Sequence, residues 1–137
     1  MILPTIISSV ITALTIAIHY EVLVNLGRLR LPIPSRLRVI AGVFAIFLAH
    51  VAEIWLFALG LFLTSEVVGL GTLNGAFDGS ARDYLYFSTV TYTSLGYGDI
   101  TPTGALRTIC AFEALTGLLM MAWSAAFTVF HIQRRWA

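Results

Sequence analysis

The chain has 137 residues, of which 58% are hydrophobic and 11% are charged, and its formal net charge is +1. Soluble globular domains average about 25% charged residues, so this composition excludes an ordinary soluble domain and indicates a membrane protein. Lysine is absent and the arginines are scattered among apolar runs, which excludes the basic face of a nucleic-acid-binding protein. The single cysteine, Cys110, excludes an intrachain disulfide, and its apolar surroundings predict a small buried side chain.

Three segments are long enough to cross a bilayer, which takes roughly 20 mostly apolar residues. They run from about residue 4 to 24, from 39 to 63 and from 103 to 132. The N-terminal sequence lacks the basic region and the short apolar core of a signal peptide. We therefore expect residues 1–27 to form a retained transmembrane helix in front of the other two.

An arginine-rich segment, residues 28–38, separates the first two spans. Its prolines prevent a continuous helix, and Ser35 is a candidate N-cap for the second span. Short cytoplasmic loops are enriched in arginine. This segment, together with Arg134 and Arg135 after the third span, therefore predicts an N-terminus outside and a cytoplasmic C-terminus.

The stretch from 64 to 80 holds four glycines among small polar residues, which is typical of an irregular outer loop. Ser80 and Asp83 then form a helix-start pattern, with a serine cap and an acidic side chain three residues later. The helix predicted there, residues 81–93, is about 20 Å long and too short to span a membrane. A short helix followed by irregular backbone at membrane depth needs protein or water around it. A re-entrant loop is therefore predicted.

The motif Thr-Ser-Leu-Gly-Tyr-Gly-Asp, residues 93–99, follows this helix. Gly96 and Gly98 tolerate positive φ, so the backbone around them can turn successive carbonyls toward one axis. Carbonyls contributed by several chains can replace the hydration shell of a monovalent cation. Because one such segment cannot encircle an ion, the motif predicts an oligomer.

The sequence Ser94-Leu95-Gly96-Tyr97-Gly98-Asp99 resembles the selectivity filter of the potassium channel pore family, and the resemblance covers residues 84–132. It implies an all-α membrane protein with three transmembrane helices, a re-entrant pore helix and a filter loop, assembled as a homotetramer around one pore. In the implied pore domain, residues 39–137, the outer helix takes 39–63, the outer loop 64–80, the pore helix 81–93, the filter 94–99 and the inner helix 102–132.

The resemblance also implies which groups contact the ion. K⁺ is expected on the backbone carbonyls of Ser94, Leu95, Gly96 and Tyr97, with Gly98 at the outer end, and no cofactor is expected besides this permeant ion. Ser94 replaces the usual threonine of the family and keeps its hydroxyl, but its χ1 angle is freer. Leu95 replaces the usual valine and is expected to affect only packing.

Three residues of the predicted pore helix are implied to brace the filter: Tyr86, Phe87 and Thr93. Phe87 cannot donate a hydrogen bond, whereas Tyr86 can donate one to Asp99. Asp99 has two interpretations. It is either one member of a carboxylate ring that concentrates cations at the outer mouth, or a strut bonded to the pore helix.

The inner helix is predicted to begin at Pro102 with Thr101 as its N-cap, which places Gly104 in its first turn. Further along, Gly117 is either a hinge or a helix-packing residue. Four residues follow Gly117 at helical spacing and either line an inner cavity or simply contact other helices: Leu118, Met121, Ala125 and Val129.

Ionisable residues within the spans are candidates for function. His50 and Glu53 lie three residues apart on one helical face and are expected to meet. Together with Glu113, they are either proton-linked groups or interior polar contacts whose hydrogen bonds are satisfied.

Other polar residues are predicted to lie toward the cytoplasmic side. His19 and Glu21 are expected near the arginine-rich segment, with Glu21 placed to pair with Arg28. His131 and Trp136 suit the inner membrane interface, where amphipathic rings are enriched.

The leading hypothesis is a potassium-selective channel subunit in the plasma (inner) membrane, with lipid and K⁺ as its partners and no nucleic acid. A poorly selective or non-conducting cation channel subunit is an alternative. Residues 96–99 also fit the Gly-x-Gly-Asp pattern of an intramembrane aspartyl protease, whose chemistry needs two aspartates that share a proton within the membrane. The other aspartates, Asp78 and Asp83, lie in or beside the outer loop, so no enzymatic activity is expected.

Overall fold

The computed structural model describes residues 2–28, 32, 34–96 and 98–136, with side chains described up to residue 133. Within these residues three helices are long and apolar enough to cross a membrane. Their bounds are Ile2–Arg28 for α1, Ser35–Phe62 for α2, which continues into a π-helical turn at Leu63–Val67, and Leu106–Trp136 for α4. Each exceeds the roughly 20 residues that a bilayer core takes. The predicted all-α membrane fold is confirmed.

A shorter helix, α3, spans Ala81–Tyr92 and is 12 residues, or about 18 Å, long. It packs against both α2 and α4. Its aromatic side chains Tyr84, Phe87 and Tyr92 are almost completely buried and belong to the hydrophobic core. The core also takes in Cys110, which is buried as predicted. Burial of these large rings positions α3, because a helix of this length is marginal on its own.

A two-stranded ribbon lies where an irregular loop and a helix start were predicted. Strand β1 (Leu73–Gly75) pairs antiparallel with β2 (Ile100–Pro102). The hydroxyl oxygens of Thr72 and Thr103 lie 2.8 Å apart and extend the pairing beyond the two strands. The predicted cap at Thr101 and helix start at Pro102 are therefore wrong. Both residues lie in β2, because the outer loop supplies a strand for this β-branched segment to pair with.

A turn at Gly104 sets the true start of α4. Gly104 has a φ of 56°, and a Cβ at this position would lie 2.7 Å from the carbonyl oxygen of Leu70. The same carbonyl accepts the N–H of Ala105 at 2.8 Å. The prediction that Gly104 lies in the first helical turn is wrong, because the chain turns sharply there before α4 begins at Leu106.

The break between α1 and α2 falls in the arginine-rich segment, as the prolines predict. Helix α2 nevertheless begins at Ser35 itself, and its N-cap position is Pro34, without a side-chain cap. The predicted cap at Ser35 is therefore wrong by one residue. Arg30 in this segment lies outside the described residues.

Helix α1 packs along α4 and α2. Its buried face repeats every three or four residues and includes Ser8, Ile11, Thr15, His19 and Leu23. Thr12 lies beside this face, and its hydroxyl oxygen is 3.2 Å from that of Thr116 on α4. A polar stripe on a membrane helix is stable where it meets polar partners on neighbouring helices. The N-terminal helix is thus part of the core of the single chain.

Candidate functional site

Hydrogen bonds among residues 78–83 fix the start of α3. The Ser80 hydroxyl accepts the backbone N–H of Asp83 at 3.2 Å, which is the predicted serine cap. The Asp83 carboxylate accepts the N–H of Asp78 at 2.8 Å, and the Asp78 carboxylate accepts the N–H of Ser80 at 2.8 Å. These two carboxylates are therefore used to hold the loop that leads into α3.

The predicted filter, residues 94–99 and hereafter the filter segment, leaves the end of α3 through a sharp turn. Ser94 has a φ of 56° and Gly96 a φ of 92°. Two backbone bonds tie the segment to the last turn of α3, from Ser94 N–H to the Thr91 carbonyl at 3.0 Å and from Gly96 N–H to the Val90 carbonyl at 3.3 Å. Positive φ at alternate residues lets successive carbonyls turn to one side. Gly98, for which the sequence also allowed positive φ, does not adopt it, and the filter role of the segment stays a prediction.

The filter segment is exposed on the single chain. Leu95 is 79% exposed, and Ser94, Gly96, Gly98 and Asp99 are also exposed. Tyr97 lies outside the described residues, so its predicted carbonyl contact with K⁺ stays a prediction. A segment this exposed can supply only one wall of an ion path.

Asp99 is held at the outer end of the filter segment. Its Oδ1 accepts the N–H of Ile100 at 3.0 Å, and its carboxylate faces the Tyr86 hydroxyl of α3. This geometry fits the strut interpretation, whereas a carboxylate ring needs other chains and stays a prediction. The other two candidate braces differ from Tyr86. Phe87 is fully buried in the core, and the Thr93 hydroxyl bonds a carbonyl of α3 at 2.8 Å.

Gly117 on α4 lies against the end of α3. A Cβ at this position would collide with the carbonyl oxygen of Tyr92 and lie 2.8 Å from its carbonyl carbon. Small residues at such crossings let two backbones approach closely. The contact therefore supports the packing interpretation of Gly117 over the hinge interpretation.

The candidate cavity residues lie on a face of α4 that is largely turned away from the core of the single chain. Leu118 and Val129 are each 53% exposed, Ala125 is exposed and Met121 is partly buried. Such a face can meet water, lipid or another copy of the chain. The cavity role of these residues stays a prediction.

A buried polar cluster joins α1, α2, α3 and α4 beside the end of α3. Its five members, hereafter the histidine–carboxylate cluster, are His19, His50, Glu53, Tyr92 and Ser124. Glu53 Oε1 lies 2.8 Å from His19 Nδ1, and Glu53 Oε2 lies 3.2 Å from His50 Nδ1 and accepts the Tyr92 hydroxyl. Ser124 Oγ lies 3.1 Å from His19 Nε2 and 3.0 Å from His50 Nε2. Every polar atom in this list has a partner, so the cluster ties the four helices together.

The sequence predicted only part of this cluster. His50 and Glu53 meet, as their spacing predicts. The expected position of His19 near the arginine-rich segment is wrong, because His19 is fully buried and bonded to Glu53. Ser8, Thr15 and His19 share one face of α1, but only His19 finds polar partners on other helices, because Ser8 bonds a carbonyl of α1 itself and the Thr15 hydroxyl has no partner among the described residues.

The inner ends of the helices differ in detail from the prediction. Among the described side chains no ion pair joins Glu21 to Arg28, and both are exposed. His131 stacks on Phe127, with ring centroids 4.1 Å apart. The side chain of Trp136 lies outside those described.

Glu113 on α4 forms a separate buried contact with α3. The Ser88 hydroxyl lies against Glu113 Oε1 and, at 2.8 Å, against the Ile54 carbonyl. Glu113 Oε2 is buried and has no hydrogen-bond partner among the described residues. Glu113 is thus near α3, as predicted, and its proton linkage stays a prediction.

These two buried glutamates give a matched test. We expect Glu53→Gln to destabilise the purified protein by about 3–5 kcal/mol, the cost typical of breaking a buried ion pair, because an amide N–H₂ would replace an oxygen that accepts from histidine or tyrosine. Glu113→Gln should destabilise the protein by less, because Glu113 has fewer hydrogen-bond partners than Glu53. Thermal unfolding of both variants in the same detergent measures the difference. Equal loss of stability in the two variants would contradict the central position given to Glu53.

Comparison with known proteins adds independent information. A family model described as "Ion channel" matches residues 40–133, which include most of α2, all of α3, the filter segment and most of α4. The chain belongs to this ion channel family. The predicted membership of the potassium channel pore family is thereby confirmed, and the protein is an integral membrane ion channel subunit. Membership of a channel family also argues against the protease hypothesis.

Individual relatives match this channel subunit over shorter stretches. "Protein LctB" of Geobacillus stearothermophilus is 49% identical over 54 residues, which is 39% of this chain and 40% of that protein. "Protein LctB" of Bacillus caldotenax is 47% identical over a stretch of the same length. "Inward rectifier potassium channel Kirbac3.1" of Paramagnetospirillum magnetotacticum is 30% identical over 82 residues, 59% of this chain and 28% of that protein. The channel subunit thus spans two fifths or less of the curated relatives that it matches. No solved structure matches it significantly.

Proposed function

We propose that this channel subunit conducts K⁺ selectively and passively, through a filter made of backbone carbonyls from residues 94–98. The observation that carries the proposal is the filter segment itself. A short buried helix ends at Tyr92, and the exposed backbone that follows has positive φ at Ser94 and Gly96. An ordinary strand alternates its carbonyls, whereas this backbone can aim them at one axis. Rings of such carbonyls replace the hydration shell of K⁺.

The helix in front of the filter supports a cation as the permeant species. The C-terminal end of a helix carries a partial negative charge, because its last carbonyls lack intrahelical partners. The C-terminal end of α3 lies directly before Ser94. A cation at the inner end of the filter would therefore be stabilised by α3.

The proposed assembly is a cyclic homotetramer, with one filter segment from each chain. Exposed apolar residues on α4, which include Leu115 at 70%, Leu118 at 53% and Leu119 at 55%, supply surface for neighbouring chains and for lipid. Identical chains around one axis form a closed ring and leave one path in the centre. The chain is proposed to lie in the plasma (inner) membrane. Its N-terminus is outside and its C-terminus inside, because arginines cluster between α1 and α2.

Flux measurements test the proposal directly. Purified protein in liposomes with outward K⁺ or Na⁺ gradients should release K⁺ far faster than Na⁺, while empty liposomes release neither. Native mass spectrometry of the same sample should give four chains per particle. Equal K⁺ and Na⁺ rates would identify a poorly selective cation channel, and the absence of flux from tetrameric protein would identify a non-conducting subunit.

A further inference from the structure

Four donor atoms of the histidine–carboxylate cluster converge on one point between α1, α2 and the end of α3. Nδ1 of His19 and Nδ1 of His50 face the two carboxylate oxygens of Glu53 at 2.8 and 3.2 Å. The Tyr92 hydroxyl lies 3.0 Å from His50 Nδ1 and contacts the same carboxylate. Ligand atoms of the two histidines and of Glu53 all lie within 4.8 Å of one another. In a tetrahedral site with metal–ligand bonds of about 2.0–2.1 Å, neighbouring ligand atoms are about 3.3 Å apart. The contacts at 2.8, 3.0 and 3.2 Å are near that spacing, and donor atoms that are up to 4.8 Å apart would have to move closer when the ion binds.

The opposite edges of the two imidazoles favour a lone pair on the side that faces Glu53. Both Nε2 atoms contact Ser124 Oγ, at 3.1 and 3.0 Å. A hydroxyl carries a single proton, so at least one Nε2 donates its own N–H to Ser124. In a neutral ring the Nδ1 then presents a lone pair beside the Glu53 carboxylate, and a neutral imidazole nitrogen with a lone pair is the form that ligates a metal ion. A cation between this nitrogen and the carboxylate would be attracted by both.

We propose that this cluster binds one divalent transition-metal ion of the zinc class. The ligands are Nδ1 of His19, Nδ1 of His50, the Glu53 carboxylate and the Tyr92 hydroxyl oxygen. Both imidazoles then keep their proton on Nε2 and donate it to Ser124, which is the outer contact that ligating histidines usually make. Two imidazole nitrogens with two oxygens suit Zn²⁺, whereas Mg²⁺ and Ca²⁺ prefer oxygen alone.

On the single chain an ion can reach the site through His50, and its binding has a structural consequence. His19 and Glu53 are fully buried, but the His50 side chain is 17% exposed. His50 and Tyr92 line a groove of about 370 Å³ that reaches Thr93. An ion bound here would fasten the N-terminal helix to Tyr92, the last residue of α3, next to the filter segment. The metal would therefore stabilise the position of the filter without contacting the permeant ions.

Binding to the wild-type protein is the primary test, and it does not depend on ion flux. We expect the full chain, purified in detergent and stripped with a chelator, to take up about one Zn²⁺ per chain and to unfold at a higher temperature with Zn²⁺ than with Mg²⁺. Co²⁺ in place of Zn²⁺ should give the visible absorption of a four-coordinate site. X-ray absorption at the zinc edge should show nitrogen and oxygen ligands and no sulfur, which excludes binding at Cys110.

Two variants separate this site from adventitious binding. Ser124→Ala keeps all four ligands and removes only the outer contact, so it should weaken Zn²⁺ binding by about 10–100-fold. His19→Gln removes a ligand and should abolish the stoichiometric binding. Two matched controls should bind like the wild type. They are Thr128→Ala one turn further along α4, whose hydroxyl bonds the Ser124 backbone carbonyl, and His131→Gln.

Wild-type protein that retains no Zn²⁺ after dialysis and gains no thermal stability from it would overturn the proposal, whether or not a variant folds. Zn²⁺ binding of wild-type strength in both Ser124→Ala and His19→Gln would also overturn the proposal. In either case the cluster is a hydrogen-bond network without a metal ion. A protein that conducts K⁺ but binds no zinc would leave the proposed channel function intact.

Discussion

Gly117→Ala is expected to abolish K⁺ flux and to lower the stability of the purified protein. The new methyl group would collide with the Tyr92 carbonyl, which is backbone and cannot rotate away. Overpacking of this kind costs about 1–3 kcal/mol or more, against about 1 kcal/mol gained from alanine in a helix. The end of α3 must move away from α4 to admit the methyl group. The filter segment, bonded to the last turn of α3, must move with it.

Two other helical glycines serve as controls for that variant. A Cβ at Gly42 on α2 would meet nothing within 4 Å, so Gly42→Ala should conduct normally and be slightly more stable. A Cβ at Gly60 would meet only the flexible end of the Ile11 side chain, so Gly60→Ala should be intermediate. Thermal unfolding and liposome flux measure all three. Selective flux through a stable Gly117→Ala protein would show that α3 and α4 tolerate a wider separation without disturbing the filter.

Gly96→Ala is expected to eliminate K⁺ selectivity or conduction while the protein still assembles. At a φ of 92° an L-residue is strained by roughly 1–2 kcal/mol, and four chains would carry this strain around the same ions. A Cβ at Gly96 would meet nothing within 4 Å on the single chain. The defect should therefore come from backbone conformation alone and leave the helices intact. Flux and size-exclusion chromatography together separate loss of conduction from loss of assembly.

Gly79 is the control for Gly96, because it also has a positive φ but lies outside the filter segment. Its φ is 81°, and a Cβ there would also meet nothing within 4 Å. It lies in the outer loop directly before the Ser80 cap of α3. Gly79→Ala should therefore lose a similar amount of stability and still conduct K⁺ selectively. If Gly96→Ala conducts as selectively as Gly79→Ala, the ions are selected elsewhere in the chain.

The elements that the sequence predicted well depend on local chemistry. Long apolar runs predicted three spanning helices, because an unpaired backbone is too costly in lipid for any other spanning structure. A short helix was predicted at 81–93 from the Ser80 cap, whose hydrogen bond spans only three residues, and it is found at Ala81–Tyr92. The sequence allowed positive φ at Gly96 and Gly98, and it is found at Gly96 and not at Gly98.

The elements that the sequence predicted wrongly depend on partners distant in the chain. Thr101 and Pro102 have the composition of a helix cap, but a distant strand pairs with them, as Asn74 does with Thr101 from 27 residues earlier in the chain. Gly104 fits a helical first turn by composition alone. Its φ is set instead by the contact with Leu70.

By itself the sequence determined that this chain has three helices long and apolar enough to span a membrane, a shorter helix before the last of them, and a Gly-Tyr-Gly-Asp motif after that shorter helix. Those properties follow from hydropathy, helix length and glycine stereochemistry, which act within a few neighbouring residues. Only the tertiary structure decided that His19 meets Glu53, and that Gly117 is pressed against Tyr92. The spacing of residues on one helix shows which of them share a face. Which faces meet depends on how four helices pack together, because a buried polar group is stable only against a partner that another helix brings to it.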